Sequence, residues 1–476
     1  MMSFWSIRCW TISEKKFSEA SAAWGIAMNI REEVRRMKQA APEMAASPVE
    51  MRNRALERMA AALREHREDI LAANAADLAA AESAGVPQAV RKRLRYDDSK
   101  MRDSAAGLRE LIQLPDPVGK VLLRRELDKG LVLTKVTVPI GVIGVIFEAR
   151  PDAMVQVASL CIKSGNCAIL KGGKETAGTN RVLFSLIHQA AVEAGLPEAA
   201  LFQAEAHSEI DELLACDDCV DLLIPRGSGK FVRYIMDHTK IPVMGHSSGI
   251  CHIYVDREAD PDKAVPVILD AKTQYPAACN AVETLLIDRG IAESFLPRIV
   301  SQLAAAGVAI HGTEEVEILL RRALESDTGA ADRDLIGGAL QSYDVMQPED
   351  FSREYNDLDL SIRLVDGVRE AVEHINRYGS HHTDSILTEN AETASYFQQM
   401  VDSAGVYWNC STRFADGYRY GFGAEVGIST GKLHARGPVG LDGLVTYQYR
   451  LTGNGDVVGD YAAGRKEFHH RDLPLA

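Results

Sequence analysis

The sequence holds no apolar run approaching the roughly 18 residues that a membrane-spanning helix requires, so no transmembrane segment is expected. It is also short of positive charge: 53 Lys and Arg against 67 Asp and Glu leave a net charge of −14. A field of that sign repels phosphate polymers and anionic headgroups, which argues against a nucleic-acid or membrane partner. A small anionic substrate would need a local cluster of donors. No internal repeat or low-complexity tract is present. The cysteines (Cys9, Cys161, Cys167, Cys216, Cys219, Cys251, Cys279 and Cys410) are irregularly spaced in a long chain. That pattern suits reduced thiols in the cytosol better than a disulfide framework. Cys216-Asp-Asp-Cys219 lacks a second CxxC or a nearby HxxxH, so no metal site is expected there.

What is present is an ordinary globular balance, 46% hydrophobic and 25% charged, over 476 residues. That length exceeds one typical core and predicts two or three domains. Residues 1–27 fit poorly with the remainder of the chain; Arg8 breaks the apolar stretch, which makes a weak signal peptide, and the segment reads as a disordered extension or as an upstream start ahead of Met28. From Ile30 the apolar positions Ile30, Val34, Met37, Ala41 and Met44 follow helical spacing, and Ser47-Pro48 starts a second helix. Two alternating runs within 118–138 meet at Asp128-Lys129-Gly130, a hairpin signal. An exposed two-stranded arm is marginal alone, so it is expected to pair with another subunit.

Beyond the arm the pattern alternates strand and helix, with strands expected at 141–147, 166–170, 220–224, 242–244 and 251–255. A second series comes after these, with strands near 283–287, 361–365, 384–388 and 404–408. Such alternation predicts an α/β fold of two doubly wound lobes with a cleft between them.

Cys279 stands among small residues in "QYPAACNAVETLLID" (274–288), at the start of the second series and facing the expected cleft. Two glycine-lysine stretches, "LKGGKET" (170–176) and "IPRGSGKF" (224–231), each follow an apolar strand and open a helix. A helix start in that position offers free N–H groups and a favourable dipole to an anion. Neither is a Walker A loop, since Ile224 stands at the first glycine position and Phe231 at the final hydroxyl position, and neither is a G-x-G-x-x-G fingerprint. Two such turns on adjacent βα units favour a bound dinucleotide. A thiol beside a dinucleotide suggests attack on an acyl carbon coupled to hydride transfer.

The segments "GVIFEARPD", "LKGGKE", "IPRG", "HSSGICHIYVD", "CNAVETLL", "HINRYGSHHTDSILTEN" and "VDSAGVYWNCSTRFADGYRYGFGAEVGISTGKLHARGPVG" resemble the gamma-glutamyl phosphate reductase family of proline biosynthesis. The likeness runs in family order from about Met28 nearly to the end. It implies the aldehyde dehydrogenase superfold: an NADP-binding domain (28–117 and 143–270), a catalytic domain (271–436), a β-hairpin oligomerisation arm (118–142 and 437–453) and a C-terminal tail (454–476). It also implies NADPH/NADP as cofactor, gamma-glutamyl phosphate as substrate, a homo-oligomer, and association with glutamate 5-kinase, whose own domain is absent. Cys279 matches the family's nucleophile. Lys171 matches the lysine on the adenosine ribose, and Lys174 falls where NAD-preferring relatives carry a glutamate, which favours a 2′-phosphate. Gly227 and Ser228 match the loop over the pyrophosphate, and Glu354 the glutamate on the nicotinamide ribose. Ser411, Thr412 and Arg413 match a stretch lining the catalytic site, with Asn280 a candidate oxyanion donor. Arg413 suits a phosphate or carboxylate clamp.

Two positions depart from the family: Tyr275 stands where arginine is common, and Cys410 where alanine is common. The alternative reading is an oxidative aldehyde dehydrogenase of the same fold, which needs a glutamate to activate water. The corresponding stretch offers His246, with no carboxylate between Ile241 and Val255, and its ring is expected to point away from the thioester or to be held by Ser247. A phosphotransferase is disfavoured by the failed Walker pattern, and an inert scaffold by the intact cysteine neighbourhood.

Overall fold

The computed structural model describes residues 30–205, 208–325 and 329–475; the 1–27 extension, with Cys9, lies outside them. Among the described residues the fold is α/β, built on two parallel sheets, a four-stranded antiparallel sheet and a two-stranded antiparallel pair, Gly427–Ser429 with Gly437–Val439. In the first lobe four parallel strands are ordered Leu201–Ala204, Cys167–Lys171, Val142–Phe147, Leu222–Arg226, and Val243 adds a parallel bridge beyond Leu223. The central strand is buried at every residue, as a sheet covered on both faces requires. The N-terminal helices Ile30–Ala46 and Val49–Glu65 pack on this lobe through Val34, Met37, Leu56 and Met59. Among the described residues no helix is long and apolar enough to cross a membrane.

The second lobe is a six-stranded parallel sheet ordered Gly405–Trp408, Thr383–Leu387, Cys251–Val255, Val282–Asp288, Asp359–Val365, Ala309–Gly312. Helices Pro261–Thr273, Ala292–Ala305, Glu314–Glu325 and Ala330–Gln341 bury one face, and Val368–Tyr378 and Ala391–Met400 the other. This corrects the expected boundary at 270/271. Strand Cys251–Val255 sits inside the second sheet, paired with Val282–Asp288 and Thr383–Leu387, so the chain crosses between lobes near 245–250. The alternation of apolar runs reveals strands but not which sheet each joins. The chain also returns: Val426, Val439 and Leu444, expected to lie in the catalytic domain or arm, pack in the first lobe's core. Within the two parallel sheets, strands Leu201–Ala204 and Ala309–Gly312 were not foreseen.

The hairpin forms from Val121–Asp128 and Leu131–Pro139, turning at Gly130 with φ +82°. Strand Val445–Thr452 pairs along the whole length of the second arm strand, and the tail returns at Arg471–Asp472 to pair with the first.

At the base of the second sheet Lys272 and Glu283 form an ion pair at 2.9 Å, at 0% and 1% side-chain exposure. They bracket the turn that carries Cys279. Breaking such a pair strands a buried charge, so Glu283→Ala should cost about 3–5 kcal/mol in urea unfolding. Burial, partly offset by Lys272, pushes the Glu283 carboxyl up to about 7. The unfolded value is about 4.3. The folded state therefore holds an extra proton in between, and this group's stabilising share, full at low pH, is lost as pH rises to about 7. The stability of wild type relative to Glu283→Gln should fall between about pH 5 and about pH 8. A difference independent of pH would contradict this.

Candidate active site

Helix Pro261–Thr273 ends at Gln274, and a tight turn follows, with Ala278 N donating to Tyr275 O and Ala281 N to Ala278 O, before strand Val282–Asp288 begins. Cys279 lies on this turn, partly exposed. Its backbone is clamped. A Cβ on Gly249 would lie 2.1 Å from Cys279 O and 2.5 Å from its Cα, so only glycine admits that approach. Cys251 Sγ donates to Cys279 O at 3.4 Å, Thr412 Oγ1 to Asn280 O at 2.7 Å, and Asn280 Nδ2 to Ala415 O at 2.8 Å. The thiol thus projects from a fixed backbone, the preorganisation a nucleophile needs.

Two histidines face it. A ring nitrogen of His246, one of His382 and Cys279 Sγ lie within 4.8 Å of one another. The rings meet edge-on at 5.1 Å. His246 is held through Nδ1 by Ile428 O at 3.0 Å, and His382 Nδ1 lies 2.9 Å from Thr383 Oγ1. His382 is 1% exposed, and its Nε2 is buried without a hydrogen-bond partner. The preceding residue, His381, is in the left-handed region at φ +61°, a strained conformation that aims the pair.

Two guanidinium groups share the electrostatic neighbourhood. Burial and Arg150 pull the Arg226 value down, and Glu425, Asp152 and Cys279 pull it back. Burial and Arg419 do the same to Arg413, against Cys279, Asp416 and Asp270. Arg226 Nη1 is buried without a partner. Arg413 Nε donates to Gln274 Oε1 at 3.0 Å, and its guanidinium lies 5.9 Å from the Tyr275 ring centroid. At 9% exposure Arg413 is no surface-loop ion pair.

The first sheet faces the thiol with the carboxyl ends of its strands. Its chain order reverses between Val142–Phe147 and Leu222–Arg226, the switch point where open α/β sheets bind ligands. Gly227 and Ser228 lie there. Ser228 N donates to Glu148 Oε2 at 3.1 Å, and a Cβ on Gly227 would collide with that carboxylate. Ser228 caps helix Gly229–Asp237, and a Cβ on Gly229 would lie 2.0 Å from Ser247 O. Lys171 ends the neighbouring strand, buried, with Nζ on Gly172 O at 2.8 Å; burial lowers its value against Glu209, Glu175 and Glu205. Lys174 is exposed on the following turn, in no ion pair among the described residues.

The aldehyde dehydrogenase family model matches residues 15–318. A gamma-glutamyl phosphate reductase of Pelotomaculum thermopropionicum is 50% identical over 446 residues, 94% of this chain and 98% of that relative. One from a Synechococcus species is 52% identical over 438 residues, 92% and 95% of the two chains. The chain belongs to the gamma-glutamyl phosphate reductase family, within the aldehyde dehydrogenases. The crystal structure of the Thermotoga maritima gamma-glutamyl phosphate reductase matches the fold with a TM-score of 0.84 at 37% identity, covering 90% of this chain and all 100% of that one.

Within this reductase-family fold Cys279, Asn280, Thr412 and Arg413 come together, and Lys171, Lys174, Gly227 and Ser228 line the facing sheet ends. Several side chains are turned to other partners. Thr412 and Ser411 spend their hydroxyls on Asn280 O and Arg413 N. Glu354 Oε1 accepts from Gly249 N at 2.8 Å, behind the nucleophile's clamp. His246 is held by Ile428 rather than Ser247, whose Oγ accepts from Arg233, and it stands beside the thiol instead of away from it. His382, Arg226 and Glu148 were not singled out from the sequence. A histidine pair immediately before an apolar strand was the available signal for His382.

Gly249→Ala should displace the Cys279 backbone. A misplacement of about 1 Å can cost roughly a hundredfold in rate, so kcat should fall by about that factor while circular dichroism and cofactor affinity hold. Turnover close to wild type would mean that the clamp does not position the thiol.

Proposed function

We propose that the chain catalyses NADPH-dependent reduction of L-glutamate 5-phosphate to L-glutamate 5-semialdehyde, releasing phosphate, by way of a thioester on Cys279. The observation that carries this is the clamped thiol between His246 and His382, with no unengaged carboxylate beside it among the described residues. The neighbouring glutamates all have partners: Glu354 in Gly249 N, Glu283 in Lys272 and Glu425 in Gly417 N. A reductase must keep its thioester from water, and a site without an available carboxylate base suits that requirement.

In this reading His382 Nε2, which has no other partner, takes the thiol proton. The Cys279 thiolate forms a C–S bond with the acyl carbon as the C–O bond to phosphate breaks. Arg413 and Arg226 bind the phosphoryl group and the leaving phosphate, while the backbone N–H of Cys279 donates to the developing oxyanion, the Asn280 side-chain amide being held on Ala415 O. With a hydride supplied to the thioester carbon, the resulting thiohemiacetal would collapse to the aldehyde as its C–S bond breaks and the electron pair returns to sulfur.

The residues at the first sheet's carboxyl ends fit a dinucleotide: glycines at close approaches, a capped helix start and a buried lysine with only its neighbour's carbonyl. Gly227 and Ser228 would hold the pyrophosphate, Lys171 the adenosine ribose, Lys174 the 2′-phosphate, and Glu354 the nicotinamide ribose. Bound there, NADPH supplies the hydride.

The arm supplies the oligomeric contact. Strand Val445–Thr452 is a sheet edge whose Tyr447, Tyr449 and Leu451 are 51%, 57% and 57% exposed, a surface suited to a second copy of the chain. An acyl phosphate is prone to hydrolysis, which gives a reason for contact with the glutamate 5-kinase that supplies it.

Cys279→Ala should abolish reduction of NADP with glutamate semialdehyde and phosphate at 340 nm, leave cofactor binding intact, and be unmatched by any other cysteine substitution. Wild-type oxidation that proceeds equally well without phosphate or arsenate would favour the hydrolytic alternative. Lys174→Glu should lose a charged contact worth about 1.5–3 kcal/mol, raising the KM for NADPH about ten- to a hundredfold with little effect on NADH. An unchanged preference would place the selectivity on other residues.

A further inference from the structure

We propose that Cys279, His246 and His382 also form a binding site for a zinc-class divalent cation, and that the cation holds the enzyme in an inactive resting form. The site itself stands independently of the reaction above; the inhibition rests on Cys279 being the nucleophile.

One thiol and two imidazoles lie with their ligand atoms within 4.8 Å of one another. Tetrahedral zinc, with bonds near 2.3 Å to sulfur and 2.0–2.1 Å to nitrogen, wants donors about 3.3–3.6 Å apart. The difference is at most about 1.2–1.5 Å, within reach of the Cys279 χ1 and small imidazole rotations. Sulfur and imidazole select zinc and its soft neighbours over magnesium or calcium, which take oxygen ligands.

The state of the rings points the same way. Ligating histidines characteristically donate the other ring N–H to a carbonyl or a similar acceptor, which fixes the tautomer. His246 does this through Nδ1 to Ile428 O, and His382 Nδ1 has Thr383 Oγ1. That leaves the His246 Nε2 as an acceptor, while the His382 Nε2, an acceptor in the tautomer whose Nδ1–H donates to Thr383 Oγ1, is buried and unpartnered in a residue only 1% exposed. A buried acceptor with nothing to accept from is a standing demand for a cation or a donor.

Three protein ligands leave the fourth position open, the arrangement of an exchangeable rather than a structural metal. Arg226 and Arg413, which lie in the electrostatic neighbourhood of Cys279, oppose a dication and weaken it further. Once coordinated, the sulfur lone pair is committed to the metal and cannot attack an acyl carbon. Binding releases the thiol proton, and no electron is transferred.

The test titrates the full-length, metal-stripped enzyme with Co²⁺ and then Zn²⁺. A thiolate-to-cobalt charge-transfer band should saturate at one equivalent and be displaced by Zn²⁺. Cys279→Ser should remove the band, and His382→Gln should weaken Zn²⁺ binding at least tenfold by calorimetry. Wild-type turnover should fall in step with Zn²⁺ occupancy and return with chelator. A band that survives in Cys279→Ser, or equal Zn²⁺ affinity in His382→Gln, would overturn the site. Stoichiometric metal at Cys279 with undiminished turnover would overturn the inhibition and the nucleophile assignment together, leaving the site standing.

Discussion

The contact on which the active region depends is the approach of Gly249 to the backbone of Cys279. Nothing larger than a hydrogen fits between residue 249 and the Cys279 carbonyl. That single exclusion couples the crossover from the first lobe to the turn carrying the thiol. It is reinforced from both sides, by Glu354 accepting the Gly249 N–H and by the Cys251 thiol donating to Cys279 O. A second approach of the same kind, Gly229 against Ser247 O, ties helix Gly229–Asp237 to the other end of the crossover. Residues 245–250 therefore relay position between the two sheets through backbone contacts, which tolerate far less adjustment than side-chain packing.

The two parallel sheets meet with opposite ends. The first offers the carboxyl ends of its strands at a switch point, as open α/β sheets commonly do. The second offers the segments that enter its strands: Gly249 before Cys251, Cys279 before Val282, Glu354 before Asp359, His382 before Thr383. Functional groups therefore come from four successive entries into one sheet. Because those strands are parallel and adjacent, groups far apart in sequence converge within a few ångströms. The histidines at 246 and 382 converge on Cys279 in this way.

Charge is arranged against the global trend. The chain carries −14 overall, yet the thiol's surroundings hold Arg226 and Arg413, and the carboxylates close by are engaged with backbone N–H groups or with Lys272. A phosphate-bearing substrate is repelled at a distance and welcomed locally, which favours a small ligand over a polyanion. The buried Lys272–Glu283 pair anchors the turn from beneath without presenting charge to it.

Periodicity and turn chemistry in the sequence were enough for most of the elements, though not for the short strands Leu201–Ala204 and Ala309–Gly312. Apolar runs of strand length marked Val142–Phe147, Cys167–Lys171 and Cys251–Val255, and Asp128-Lys129-Gly130 marked the arm's turn, because these are local properties of backbone and side chain. Motif order also singled out Cys279 and the glycine-lysine turns as candidates. The partition of strands between sheets was not legible, since Cys251–Val255 looks the same in either lobe and only long-range pairing assigns it. The partners of each site residue were equally hidden. Thr412 serves the nucleophile's backbone, Glu354 serves Gly249, and His382 stands far from Cys279 in sequence yet beside it in space. Spacing along a chain constrains the side chains of one helix or strand. Which loops meet at the ends of two sheets is decided by how those sheets pack, and only the tertiary structure holds that.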